Sequence, residues 1–148
     1  MSAPGRIAAL QPEEIRRLAS IGFHGLLNGR PVAALCLFES LAALRPEATF
    51  PLIGSALALL ATGRPEEAAR VLERAQALQP DDEEVRVFLG MTLCFAERTQ
   101  RGCAVLASLA QRGADMPAVR LARRLLRLPA TAVGGVLPRQ CVPVSMEG

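Results

Sequence analysis

Apolar residues recur at spacings of three and four along most of the chain, and Gly, Pro and acidic clusters break the pattern at short intervals. The first run starts near Gln11, where Pro12 fits the first helical turn and Glu13 and Glu14 favour the positive helix end. It extends to about Leu27, and Asn28 and Gly29 supply left-handed residues that end it. Pro31 opens a second helix with Ala34, Leu35, Phe38, Leu41 and Leu44 on one stripe, closed by Pro46. A third helix presents Leu52, Ala56 and Leu59 and breaks at Gly63. Pro65, Glu66 and Glu67 begin a fourth, with Ala68, Leu72, Ala75 and Leu78 in line. The acidic run Asp81, Asp82, Glu83, Glu84 starts a fifth with Leu89, Gly90 and Leu93, and a sixth carries Gly102, Leu106 and Leu109. A seventh is predicted from Pro117 to Leu128, with Ala118, Leu121, Ala122 and Leu125 on one face and Arg120, Arg123, Arg124 and Arg127 on the other.

The elements repeat. Gly-Arg-Pro occurs at Gly29 to Pro31 and again at Gly63 to Pro65, and Ala34, Phe38, Leu44 and Pro46 return as Ala68, Leu72, Leu78 and Pro80 with the same offset. A period of about 34 residues, with a turn between two helices and a closing Pro, resembles the tetratricopeptide repeat (TPR), a helix-turn-helix unit that stacks into a superhelix. The resemblance implies an all-α fold, a TPR-like solenoid of three helix pairs plus a C-terminal cap helix. Ala56 and Ala68 are the small residues that let paired helices approach. The third unit is degenerate, with Glu97 at the turn Gly and Ala114 at the closing Pro. Residues 11–128 form the one domain, residues 1–10 a flexible lead, and residues 129–148, rich in Gly, Pro, Val and Ser, a largely disordered tail.

Composition narrows the function more than the fold. Of 148 residues 51% are hydrophobic, enough for a core, yet stretches such as Pro51 to Thr62 are too short and interrupted to span a membrane. Arg6 and the patch Ile7 to Leu10 run straight into Gln11, Pro12, Glu13 and Glu14, which provides no signal-peptide core, so a cytoplasmic location is expected. Cys36, Cys94, Cys103 and Cys141 share no metal-ligand spacing and read as small residues in a reducing compartment rather than a disulfide frame. Every cation among the 17 is Arg, and with no Lys there is no phosphate loop. Residues 1 to 115 carry 12 Arg against 13 acids, whereas residues 116 to 148 carry 5 Arg against Glu147 alone, so the basic character is C-terminal. The Arg face of the last helix lacks interleaved aromatics and reads as solvated, which argues against nucleic acid. His24 has no nucleophile beside it, and no paired carboxylates or nucleophile elbow occur. No enzyme, cofactor or metal site is expected.

In the TPR architecture the first helix of each pair lines the inner groove. That register places Phe23, Leu26 and Leu27 there from the first unit, Phe50, Ile53, Leu57 and Leu60 from the second, and Val87, Phe88, Met91, Cys94 and Phe95 from the third. The set is apolar and lacks the Lys, Arg and Asn that grip a terminal carboxylate. Together these side chains form a patch larger than a monomer normally exposes, which points to a partner. The repeat frame, Ala33-Ala34-Leu35-Cys36-Leu37-Phe38-Glu39, Gly63-Arg64-Pro65-Glu66-Glu67-Ala68, and Asp115, Met116 and Pro117 opening the last helix resemble the cytoplasmic chaperones of bacterial type III secretion systems. Needle-subunit chaperones are the nearest match and translocator chaperones second. The resemblance implies a secreted subunit with an apolar amphipathic helix as client, a second small co-chaperone as a further partner, and no nucleic acid or membrane. A general TPR adaptor for a folded protein is the alternative.

Overall fold

A computed structural model describes residues 10–112 and 117–127, in seven α-helices with no strand among them. They are α1 (Pro12–Leu27), α2 (Pro31–Leu44), α3 (Phe50–Ala61), α4 (Pro65–Leu78), α5 (Glu83–Phe95), α6 (Thr99–Ala110) and α7 (Pro117–Arg127). The predicted lead and tail lie outside the described residues, apart from Leu10.

Proline stands in the first turn of α1, α2, α3 and α4, where its missing N–H costs nothing. At α1 the Glu14 carboxylate accepts a hydrogen bond from the Gln11 backbone N–H at 2.9 Å. At α5 Asp82 caps the helix, its Oδ1 accepting from the Val85 N–H at 3.1 Å. The turns inside the three pairs are copies of one another. Gly29, Gly63 and Glu97 all take positive φ, 71°, 73° and 61°. After each, the N–H of Arg30, Arg64 or Arg98 bonds back to the carbonyl of Gly25, Leu59 or Leu93 at 2.8 to 2.9 Å. This is the bond that ends a helix through a left-handed residue. Glu97 is therefore held by its surroundings in a conformation that glycine adopts without strain.

Each helix packs on its chain neighbours, and α1 also touches α3, α3 touches α5, and α5 touches α7. The odd helices thus form one layer. Between the layers, equivalent positions are filled in each unit: Ala34, Ala68 and Gly102 at the crossing, and Phe38, Leu72 and Leu106, all fully buried, one turn later. Gly22, Ala56 and Gly90 face them from the odd helices. In the third pair Gly90 meets Gly102 so closely that a Cβ on Gly102 would stand 2.6 Å from the Gly90 carbonyl. The first pair differs, because Phe38 carries a ring where the others carry Leu. The ring lies edge-on to Phe23, with centroids 4.9 Å apart, and reaches both Gly22 and Gly54. A Cβ at Gly22 would come within 2.7 Å of Phe38 Cζ, and one at Gly54 would overlap the ring.

The layers differ in what joins one unit to the next. Between α4 and the start of α6 the links are ionic: Arg98 pairs with Glu66 at 3.0 Å and Glu73 at 3.7 Å, and Arg101 with Glu73 at 2.6 Å. These pairs are solvated and contribute little stability. Two hydrogen bonds tie the inter-unit loops, Thr49 Oγ1 donating to Asp82 Oδ2 at 2.8 Å and Gln79 Nε2 to the Glu47 carbonyl at 3.2 Å. The last helix turns a different face inward from the one expected. Val119 and Ala122 are fully buried, Ala118 is half-buried, and Leu121 is exposed. Leu78, placed on the core stripe of α4, is likewise exposed at the helix end.

Two outcomes follow for stability. Gly54→Ala should destabilise the fold by about 1–3 kcal/mol through overpacking against Phe38, and adding Phe38→Leu should recover much of that loss, as read by urea unfolding. Glu97→Gly should stabilise the chain by about 1 kcal/mol by relieving the left-handed glutamate, whereas Gly63→Ala should destabilise it by a similar amount.

Candidate functional site

Amphipathic helices in two layers bury one face against each other, and what remains apolar on the far side of the odd layer is available to a partner. Of the eleven groove residues apart from Cys94, Phe23, Leu26, Phe50, Leu57, Leu60, Phe88, Met91 and Phe95 are half-buried and Leu27 is exposed. Leu26, Leu57, Leu60 and Phe88 pack against the central core and still keep part of their surface in solvent. Ile53 and Val87 are a correction: they are 4% and 1% exposed and belong to the core clusters rather than to the exposed groove surface. They occupy equivalent positions in successive units, Ile53 in the central cluster and Val87 packed with Leu106, Leu109 and Ala122. Cys94 is buried too, and desolvation pushes its thiol up to about 11, so it stays protonated.

Two clefts open between successive odd helices. Between α1 and α3 a cleft of about 400 Å³ is lined by Arg16, Ala19, Ser20, Phe23, His24, Leu27 and Phe50. Between α5 and α7 a second, of about 600 Å³, is lined by Asp81, Asp82, Glu83, Glu84, Val87, Phe88, Pro117, Ala118 and Leu121. Arg16, Ser20 and His24 were not among the expected groove residues, although the repeat offset puts Arg16 in register with Phe50 and Glu84. His24 lies on α1, and its backbone carbonyl accepts from the Asn28 side chain at 2.8 Å. The α5–α7 cleft carried no sequence signal, because it exists only where the last helix folds back.

The cysteines differ from a uniform buried set. Cys36 is exposed and free, and Cys94 is buried and free. Among the described residues no group of His, Cys, Asp or Glu is arranged to hold a metal, and no helix is long and apolar enough to cross a membrane.

Seven helices in two layers, with the same left-handed turn inside each successive pair, define a TPR-like solenoid. Residues 26–91 match the tetratricopeptide repeat family. The fold is similar to that of the type III secretion translocator chaperone SycD of Yersinia enterocolitica, with a TM-score of 0.69 and 16% identity over 85% of this chain and 100% of that one. It is also similar to the Sgt2 TPR domain from Aspergillus fumigatus, with a TM-score of 0.62 and 20% identity over 92% of this chain and 91% of that one. No curated protein matches the sequence.

Proposed function

We propose that this protein is a bacterial cytoplasmic chaperone that holds an aggregation-prone apolar helix of a type III secretion subunit in its odd-helix groove before export. The observation that carries the reading is the row of half-buried Phe23, Phe50, Leu57, Leu60, Phe88, Met91 and Phe95 on one layer, whereas in the opposite layer solvated ion pairs link α4 to the start of α6. An exported subunit that polymerises outside the cell carries an apolar helix that would aggregate inside it. Burying a Leu or Phe fully contributes about 1.5–3 kcal/mol before ordering costs, so a few anchors give useful affinity. The likeness to a translocator chaperone over nearly the whole chain supports a secretion client of either kind, translocator or needle subunit, and gives the needle class no preference. The chemistry is binding alone, with no catalysis and no cofactor.

A second reading, a general adaptor for a folded protein, draws on the likeness to the Sgt2 domain and on the exposed Arg120, Arg123 and Arg124 of α7. Salt separates the two. An Arg-driven complex weakens steeply with ionic strength, whereas an apolar groove does not.

The client is identified first as the secreted subunit that co-purifies from the source cell, and its affinity is then read by titration calorimetry. Leu57→Glu and Met91→Glu each place an unpaired charge against the bound helix and should weaken capture by at least about 2 kcal/mol, roughly 30-fold, with helical content retained. Phe88 is a poorer choice, because it packs against two core clusters and its loss tests folding. The pair Arg123→Ser and Arg124→Ser should leave affinity nearly unchanged. Normal binding by the folded Glu variants together with failure of the Arg variants would replace the groove with the adaptor reading.

A further inference from the structure

The turn between α1 and α2 carries the chain's one asparagine, Asn28, directly before Gly29. At the equivalent position the second unit has Thr62 before Gly63, and the third has Ala96 before Glu97. Asn28 and Thr62 fill the same role, a side-chain donor reaching back one turn: Asn28 Nδ2 donates to the His24 carbonyl at 2.8 Å, and Thr62 Oγ1 to the Ala58 carbonyl at 3.2 Å. Their chemistry differs. A side-chain amide can be attacked by the next backbone nitrogen, most readily where that residue is glycine, and nothing stands within 4 Å of where a Cβ on Gly29 would be. A hydroxyl cannot react in this way. Asn28 and Gly29 are both exposed.

The closed turn resists that attack. With Asn28 at ψ 17° the Gly29 nitrogen points away from the Asn28 side chain, and the Gly29 N–H is engaged with the Leu26 carbonyl at 3.2 Å. Reaction requires both hydrogen bonds to break and ψ to rotate, so it proceeds only in molecules whose turn is open. The first turn has the least cover of the three. In α3 and α5, each preceded by another unit, Ser55, Ala58, Leu89 and Thr92 are buried, whereas the equivalent Ile21 and His24 of α1 are exposed.

We propose that Asn28–Gly29 is a site of spontaneous deamidation, gated by opening of the α1–α2 turn, and that the product loosens the end of α1. The Gly29 nitrogen gives its proton to solvent and bonds to Asn28 Cγ; the Cγ–Nδ2 bond breaks, and Nδ2 leaves as ammonia with a proton returned from solvent. Water then opens the five-membered imide at one of its two carbonyls, leaving aspartate or isoaspartate, and nothing is oxidised or reduced. Either product puts a carboxylate where an amide donor stood. The carboxylate cannot donate to the His24 carbonyl and sits at the negative end of the helix dipole. Isoaspartate also lengthens the backbone by a methylene at the turn. The reaction does not depend on the groove reading, although the neighbouring Leu27 lines the α1–α3 cleft.

The full chain is incubated at neutral pH, both folded and in unfolding urea, and followed by peptide mapping with enzymatic methylation specific for isoaspartate. Aspartate and isoaspartate should accumulate at position 28 in both samples, about tenfold more slowly in the folded chain. Asn28→Thr, which installs the residue of the second unit, should form neither and keep the parent urea midpoint. Asn28→Asp should lower that midpoint and speed hydrogen exchange about threefold at the Arg30 N–H, which bonds to the Gly25 carbonyl. A folded chain that stays intact at Asn28 while the unfolded chain reacts to completion overturns the site, and equal rates in the two samples overturn the gating. An Asn28→Asp variant with unchanged midpoint and exchange overturns the effect on α1.

Discussion

The close approach of paired helices is the constraint from which the rest of the structure follows. It depends on small residues facing a large one: Gly22, Ala56 and Gly90 against Ala34, Ala68 and Gly102, with Phe38, Leu72 and Leu106 filling the space beyond. In the first unit a phenyl ring takes the place of Leu, and Gly54 from the next unit accommodates it. Phe38 therefore joins two units as well as two helices, and it fixes how α1 sits on α3. Because this packing saturates the space between layers with short side chains, the larger apolar residues of the odd helices are left at the surface of their own layer. The groove is what remains when the core is full.

Much of this was legible in the chain. The repeated Gly-Arg-Pro encodes a helix stop, a left-handed turn and a helix start, so local chemistry alone locates two of the three turns. The third is read correctly only through the period, because Glu97 has no preference for the φ of 61° that it adopts. Packing on both sides imposes the conformation there. Side-chain direction was less accessible. Ile53 lies on α3, which is apolar almost all round, and Val87 on the apolar two-thirds of α5, and where so much of a helix is apolar the pattern cannot say which face a neighbouring helix covers. On α7, which is strongly amphipathic, the buried side is turned toward Val119 and leaves Leu121 at its edge. The clefts at either end were illegible for another reason: each is assembled from two successive odd helices, and its depth is a property of their spacing.

The asymmetry between the layers connects fold to use. Ion pairs such as Arg98 with Glu66 join α4 to the start of α6 at little energetic gain. Among the described residues no ion pair joins one odd helix to another. A solenoid of this kind presents a long surface of modest depth, suited to a helix or extended segment and poorly suited to enclosing a small molecule. The fold is similar to that of both a type III secretion translocator chaperone and an Sgt2 TPR domain, so the fold by itself does not name a partner.

The central claim is that a client lies against the odd helices. Methyl-selective NMR of the Leu, Val, Ile, Ala and Met side chains, recorded while an unlabelled amphipathic Leu-stripe peptide is added, tests it directly. The account predicts that Leu26, Leu57, Leu60 and Met91 shift together with a single saturating affinity, while Ala43, Ala77 and Ala104 of the even helices stay in place. Shifts confined to the even helices or to the Arg-bearing side of α7, with Leu57 and Met91 unmoved, would contradict it.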